Sequence, residues 1–234
     1  MAVMCGMNYI KTILLGFLGG AAAWFLLLPL SGNAPEEPVP APTPTPTVVS
    51  SDFWQKIVSD HVLNTVAIQS FKGGNMVREG SGIVISSDGV VITTFDVISG
   101  ADVLQVFHRD KILRAKVIRY DGIKNLALLK VDSADMDVTR LDRDYQFQPG
   151  QDVIVSGKMV ELSNSVVFAQ RGMISYILSK DIVIDTEPNY FLSGSKVINN
   201  SGIVVGMSYL RSGAVRLITS EAIDDFVKSH FESL

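Results

Sequence analysis

With 234 residues, 47% of them hydrophobic, the chain can bury a sizeable core in one domain or two small ones. A net charge of -4 with no basic run excludes nucleic acid as the main partner. The single cysteine, Cys5, excludes an internal disulfide and a cysteine-rich zinc site. The spacing of His61, His108 and His230 gives no metal site either, so no metal or other cofactor is expected.

Residues 12–30 are predicted to form a transmembrane helix. Ile13 to Leu30 is free of charge and dominated by Leu, Ala, Gly, Phe and Trp, long enough to span a bilayer. Lys11 precedes the span, and Glu36 and Glu37 follow it. The positive-inside rule then places residues 1–11 in the cytoplasm and the remainder on the extracytoplasmic side, giving a single-pass protein of the cell envelope. A cleaved signal peptide with a site at Gly32-Asn33-Ala34 is the alternative, but Pro35 would follow the cut. Cys5 reads as a small apolar residue beside the anchor. Residues 31–50, with PEEPVPAPTPTPT at 35–47, read as an extended proline-rich spacer.

The folded domain is expected over 51–234. Ser51-Asp52 caps a short helix through about Leu63, with Phe53, Ile57 and Val58 on one face. Strand patterns follow. Val66-Ala67-Ile68 is one; Gly82 to Ser86 and Val90 to Thr93 flank a turn at Ser87-Asp88-Gly89. Val103 to Phe107 and Ile112 to Ile118 form a second hairpin around Arg109-Asp110-Lys111. Leu126 to Val131, Val153 to Val155, Ser165 to Phe168, Ile182 to Ile184 and Ile203 to Gly206 continue the series, and Ser220 caps a closing amphipathic helix over 220–231. Many short strands and few helices mean an all-β sandwich or barrel.

The chemistry of interest centres on Ser193, between a loop and the start of a strand. A serine hydroxyl needs a general base, nearly always histidine, and an acid group to orient it. None of the three histidines lies on a strand-to-turn junction, and all three read as surface residues. Ser193 and Lys196 match the S-x-x-K pattern, which works on a helix, whereas here a turn enters a strand. Asp96 with Asp185 could form a carboxylate pair, though capping or solvated aspartates are the plainer reading.

Three segments carry a resemblance. Gly80-Ser81-Gly82-Ile83-Val84-Ile85-Ser86-Ser87-Asp88-Gly89 leads to Thr93-Thr94-Phe95-Asp96-Val97. Asp121-Gly122-Ile123-Lys124-Asn125 leads to Leu126-Ala127-Leu128-Leu129-Lys130. Asn189-Tyr190-Phe191-Leu192-Ser193-Gly194-Ser195-Lys196-Val197 leads to Ser201-Gly202-Ile203-Val204-Val205-Gly206. In this order and spacing they resemble the trypsin-like serine proteases of the HtrA/Do type. The resemblance implies two six-stranded antiparallel β-barrels, about 64–132 and about 141–219, with a site in the cleft between them.

The same resemblance implies roles by position. Ser193 stands at the nucleophile. Asp96 stands where the family has its histidine base (T-N-x-H-V), and Asn125 where it has the orienting aspartate (D-x-x-x-D-L-A-L-L-K). Phe191 replaces a glycine whose N–H, with that of Ser193, forms the oxyanion hole, and a bulky residue resists positive φ. A carboxylate is a weak base at neutral pH. The expectation is therefore a catalytically inactive, membrane-anchored homologue that binds a peptide or an unfolded or envelope protein. The alternatives are an active serine endopeptidase using Ser193 with a non-standard base, and a structural envelope protein. The family's PDZ module is not expected in this chain. The resemblance also implies a homotrimer, with residues 52–63 where the family places its oligomer contacts.

Overall fold

Apolar runs bounded by glycine and polar turns close on themselves twice. The computed structural model describes residues 51–179 and 181–232. The anchor expected at 12–30, the tail before it and the spacer at 31–50 lie outside the described residues. Among the described residues no helix is long and apolar enough to cross a membrane.

The first closed barrel is built from β1 (Thr65–Lys72), β2 (Asn75–Ser86), β3 (Val90–Thr93), β4 (Val103–His108), β5 (Lys111–Asp121) and β6 (Leu126–Val131). Its strand order is β1-β2-β3-β6-β5-β4. The second contains β7 (Asp152–Glu161), β8 (Asn164–Leu178), β9 (Asp181–Asp185), β10 (Lys196–Asn199), β11 (Val204–Arg211) and β12 (Ala214–Thr219), ordered β10-β11-β12-β9-β8-β7. All strand pairs are antiparallel. This is the all-β class that the strand pattern predicts, in the double-barrel form that the family resemblance implies. Full closure leaves no free sheet edge in either barrel.

Each barrel has its own core. Val66, Ile68, Val84, Val91, Val106 and Leu129 fill the first. Val155, Ile174, Ile184, Leu192, Val197 and Val205 fill the second. A third cluster joins them, because Ile92 and Leu128 of the first barrel pack with Met207 and Ile218 of the second and with Phe226 of the last helix. Burying such side chains contributes roughly 1.5–3 kcal/mol each, so the two barrels are held by their shared apolar layer as well as by hydrogen bonds.

Two details of the helices differ from the sequence pattern. The first helix, α1 (Ser51–Asp60), stops before Leu63 and buries Trp54 and Ile57, while Phe53 is 37% exposed. The i, i+3, i+4 stripe therefore runs through Trp54, Ile57 and Val58, which pack on Ile154, Ile198 and Val204. The four-residue helix α2 (Phe95–Ile98) follows β3, and α3 (Ser220–Phe231) closes the chain. Thr219 caps α3, its hydroxyl accepting from the Ala222 amide at 3.3 Å. Ser220 is already inside the helix, and its hydroxyl donates to the Val204 carbonyl at 3.1 Å.

Candidate active-site cleft

Ser193 is delivered by a tight connection. A single 3-10 turn, Tyr190–Leu192, precedes it, and Gly194 at φ +83 follows. The Gly194 amide donates to Ser208 O at 2.9 Å, and the Ser195 amide donates to Leu192 O at 3.2 Å. The first barrel grips this loop through Ser81, whose amide donates to Ser193 O at 2.9 Å. The Ser81 carbonyl accepts from Thr93 Oγ1 at 2.7 Å, and its hydroxyl donates to Lys158 O at 3.0 Å. Ser81 thus ties β2 to β3, to β7 and to the Ser193 loop. Nothing in the sequence marks it beyond its place in a glycine-flanked strand.

Asp96 comes from the first turn of α2. Its Oδ2 accepts from Ser193 Oγ at 2.9 Å, and its Oδ1 accepts from the Val97 amide at 3.1 Å. Asn125, in the left-handed region at φ 55, holds α2 from the β5–β6 turn. Its carbonyl accepts from the Phe95 amide at 3.1 Å and its Oδ1 accepts from the Asp96 amide at 2.9 Å. Ser193, Asp96 and Asn125 are therefore brought together by hydrogen bonds across the two barrels. The Leu210 amide, on β11, donates to Ser193 Oγ at 3.3 Å. The sequence carries no motif for that contact; it arises from the register of β11 beside β10.

Phe191, expected at the oxyanion-hole position, lies in the 3-10 turn before Ser193. It does not adopt a positive φ, and its ring packs edge-on against Phe168 with centroids 4.7 Å apart. A glycine at this position would reach positive φ freely, whereas a phenylalanine resists it.

The hydroxyl sits at the floor of a cavity of about 350 Å³ lined by Val77, Arg78, Glu79, Tyr190 and Leu210 together with Asp96 and Val97. A neighbouring cavity of about 460 Å³ lies past Asp96 and Leu210, lined by Ile123, Lys124, Asn125, Tyr209 and Arg211. Residues of both barrels line the cleft, and none of the three histidines does.

All three histidines were expected on the surface, but His108 is buried and His61 and His230 are half-buried. His108 is 4% exposed at the end of β4, and burial beside Lys158 holds its pKa below the usual value. His61 is half-buried after α1, its Nε2 lying 3.0 Å from Gly202 O, and burial lowers its pKa as well. Their burial follows from barrel closure and from the docking of α1, neither of which local pattern reveals. Lys196 points away from Ser193: its Nζ donates to His61 O at 3.2 Å and to Asn64 Oδ1. Asp185 is exposed at the end of β9 and lines neither cavity. Among the described residues no cluster of His, Cys, Asp and Glu could hold a metal ion.

A sequence model of the trypsin-like peptidase domain matches residues 80–207, more than half of the chain. The chain belongs to the trypsin-like peptidase domain family. It is 34% identical over 143 residues to a protein of Pseudomonas fluorescens named "Probable periplasmic serine endoprotease DegP-like", covering 57% of this chain and 30% of that one. It is 30% identical over 174 residues to serine protease HTRA1 of Xenopus laevis, covering 68% of this chain and 38% of that one. The chain thus spans about a third of the length of these curated relatives. The crystal structure of a serine endoprotease from Yersinia pestis superposes with a TM-score of 0.67 at 20% identity, over 76% of this chain and 66% of that one, which is a likeness of fold. The chain is accordingly an HtrA-type trypsin-like homologue, whose peptidase-domain match runs from Gly80 through the Ser193 loop.

Proposed function

We propose that this trypsin-like domain does not cleave peptides and acts as a binding module. It would hold an extended segment of an envelope or unfolded protein in the cleft between its barrels. The observation that carries this reading is the partner of the hydroxyl. Ser193 Oγ donates to a carboxylate at 2.9 Å, where acyl transfer requires an imidazole that accepts the proton and later returns it to the leaving amine. Asn125 in the orienting position uses its Oδ1 on a backbone amide. Phe191, without the positive φ of the family's glycine, also speaks against a complete oxyanion hole, whose two donors stabilise a tetrahedral intermediate. The cleft remains open and lined by Val77, Tyr190 and Leu210, suited to apolar side chains of an extended peptide. The periplasmic name of the bacterial relative supports an extracytoplasmic setting, with residues 12–30 as the single-pass anchor and 31–50 as the stalk.

One observation favours a second reading, an active endopeptidase. Ser193 Oγ and Asp96 Oδ2 are within hydrogen-bond distance, the geometry of a nucleophile and a base. A fluorophosphonate probe on the full chain separates the two. No labelling of Ser193 is expected, and labelling that disappears in Ser193→Ala would establish the enzyme instead. For binding, casein-derived peptides titrated by fluorescence anisotropy should bind the wild type and lose affinity in Leu210→Arg. Absence of binding would leave a purely structural role.

A further inference from the structure

Below the cleft, on the far side of β10, the second barrel meets α1 through two basic groups. Lys196 is fully buried, and so are the other residues of β10, between β7 and β11. Its Nζ reaches back to the turn that ends α1, donating to His61 O at 3.2 Å and to Asn64 Oδ1. The same His61 carbonyl accepts from Thr65 Oγ1 at 2.7 Å. His61 itself crosses to the β10–β11 turn, its Nε2 lying 3.0 Å from Gly202 O. That contact requires the Nε2–H tautomer, because a carbonyl only accepts. Its Nδ1 is buried without a partner.

An uncharged amine has two N–H groups, and here it meets two acceptors. A charged one brings a third N–H and a full charge into a closed space, and each unpaired polar group there costs free energy. The groups that face Lys196 offer no compensation. From β7 comes the cation Lys158, and from the turn after α1 comes His61. Behind Lys158 lie His108, Arg109 and Lys111, with Asp137 already paired to Arg109 at 2.8 Å. Asp60 faces His61 from α1, and among the described residues no carboxylate forms an ion pair with Lys196. Burial, with Lys158 second, holds the amine well below its ordinary range, at about 6.

We propose that the junction between α1 and the second barrel is a proton-coupled latch, closed while Lys196 is uncharged and opened with uptake of a proton. The latch joins the element next to the proposed stalk to the strand that begins three residues after Ser193. Opening releases Trp54 and Ile57 from Ile154, Ile198 and Val204 and frees the start of β10.

The sign follows from proton linkage. The closed state holds no proton on Lys196 above about 6, whereas the open, solvated side chain holds one up to its ordinary value of 10.5. In that window opening takes up one proton. The latch therefore strengthens as pH rises, and it weakens as pH falls toward about 6, below which both states are charged and the effect levels off. His61, lowered from 6.5, adds in the same direction only below that value.

The test is hydrogen exchange of the full chain read by mass spectrometry at pH 6.5, 7.5 and 8.5, corrected for intrinsic rates. The opening constant for amides of residues 54–61 is expected to fall about tenfold per pH unit, while amides of β6 change far less. In Lys196→Met the same amides should show no such slope. The proposal is overturned if wild-type α1 protection is flat with pH, or if Lys196→Met retains the slope. If Lys196→Met does not fold, Lys196→Gln takes its place in the same exchange experiment: loss of the slope supports the latch, and a retained slope sinks it.

Discussion

Ser193 and Asp96 satisfy each other. The hydroxyl proton lies toward Oδ2 at 2.9 Å, and the oxygen accepts the Leu210 amide at 3.3 Å. The other carboxylate oxygen is taken by the Val97 amide at 3.1 Å. A nucleophile held this way donates its proton to a carboxylate, a weaker base than imidazole, and part of its lone-pair capacity is in use. Restoring the family's residues by Asp96→His with Asn125→Asp should give only slow fluorophosphonate labelling of Ser193. The Phe191 loop would still lack a donor, and one oxyanion-hole donor is worth about 10²–10³ in rate. Adding Phe191→Gly is expected to raise the labelling rate by about that factor, measured by time-resolved gel fluorescence. Equal rates in the double and triple variants would show that the loop is not limiting.

Asn125 does two jobs that can be separated. Its backbone occupies φ 55, which asparagine and glycine tolerate, and its Oδ1 accepts the Asp96 amide. Asn125→Gly keeps the backbone and removes the acceptor, and should cost about 1 kcal/mol in urea unfolding. Asn125→Ala also strains the backbone and should cost about 1 kcal/mol more. An alanine variant as stable as the glycine variant would contradict this division.

Much of the fold is legible locally. Leu126–Val131 forms the strand its apolar run predicts, and the hairpins around Asp88 and Asp110 form where glycine and charged turn residues interrupt apolar runs. What local pattern does not show is burial created by closure. Nothing local marks Lys196 or Lys158 as buried, yet their strands β10 and β7 pair with each other and both side chains are buried. Phe53 and Trp54 are adjacent aromatics, and the helix pattern puts Phe53 on the buried face; the contacts with Ile154 and Arg171 instead make the tryptophan the buried one. In the cleft, Ser193, Asp96 and Asn125 belong to motifs and could be named beforehand. Leu210 contributes through a backbone amide, which any residue supplies, so no signal of residue type could have marked it; Ser81 lies in a quoted motif, but that its hydroxyl bridges to Lys158 of β7 shows only once the barrels meet.

His108 gives a second acid-sensitive element, on the other side of Lys158 from the α1 latch. It is 4% exposed, its Nδ1 has no partner, and Lys158, Arg109 and Lys111 are nearby cations. Its folded pKa lies below 6.5, chiefly because of burial. In the window just beneath that value the unfolded chain binds more protons, so stability falls as pH falls and levels off below the folded value. His108→Phe removes the titration. Urea midpoints at pH 7.0, 6.0 and 5.0 should show a shallower acid decline in the variant, by at most a factor of ten in the unfolding constant per pH unit. Parallel declines would mean that His108 does not titrate against the fold.

Gly194 offers the sharpest structural test of how the two barrels hold the Ser193 loop. Its φ is +83, and a Cβ there would fall 1.9 Å from Ser81 O and 2.8 Å from Thr93 Oγ1. Neither atom can retreat cheaply. The Ser81 carbonyl is fixed by Thr93 Oγ1 at 2.7 Å, and the Ser81 amide is bonded to Ser193 O at 2.9 Å. Gly213 is the control, with φ +75 and nothing within 4 Å of its Cβ position. Gly213→Ala should cost about 1–2 kcal/mol from left-handed strain alone. Gly194→Ala carries that strain and an overpacking cost of about 1–3 kcal/mol on top of it. The difference between the two variants in chemical denaturation therefore isolates the collision. Equal losses would show that Ser81 and the strand behind it can shift, and that the barrels do not grip the serine loop rigidly.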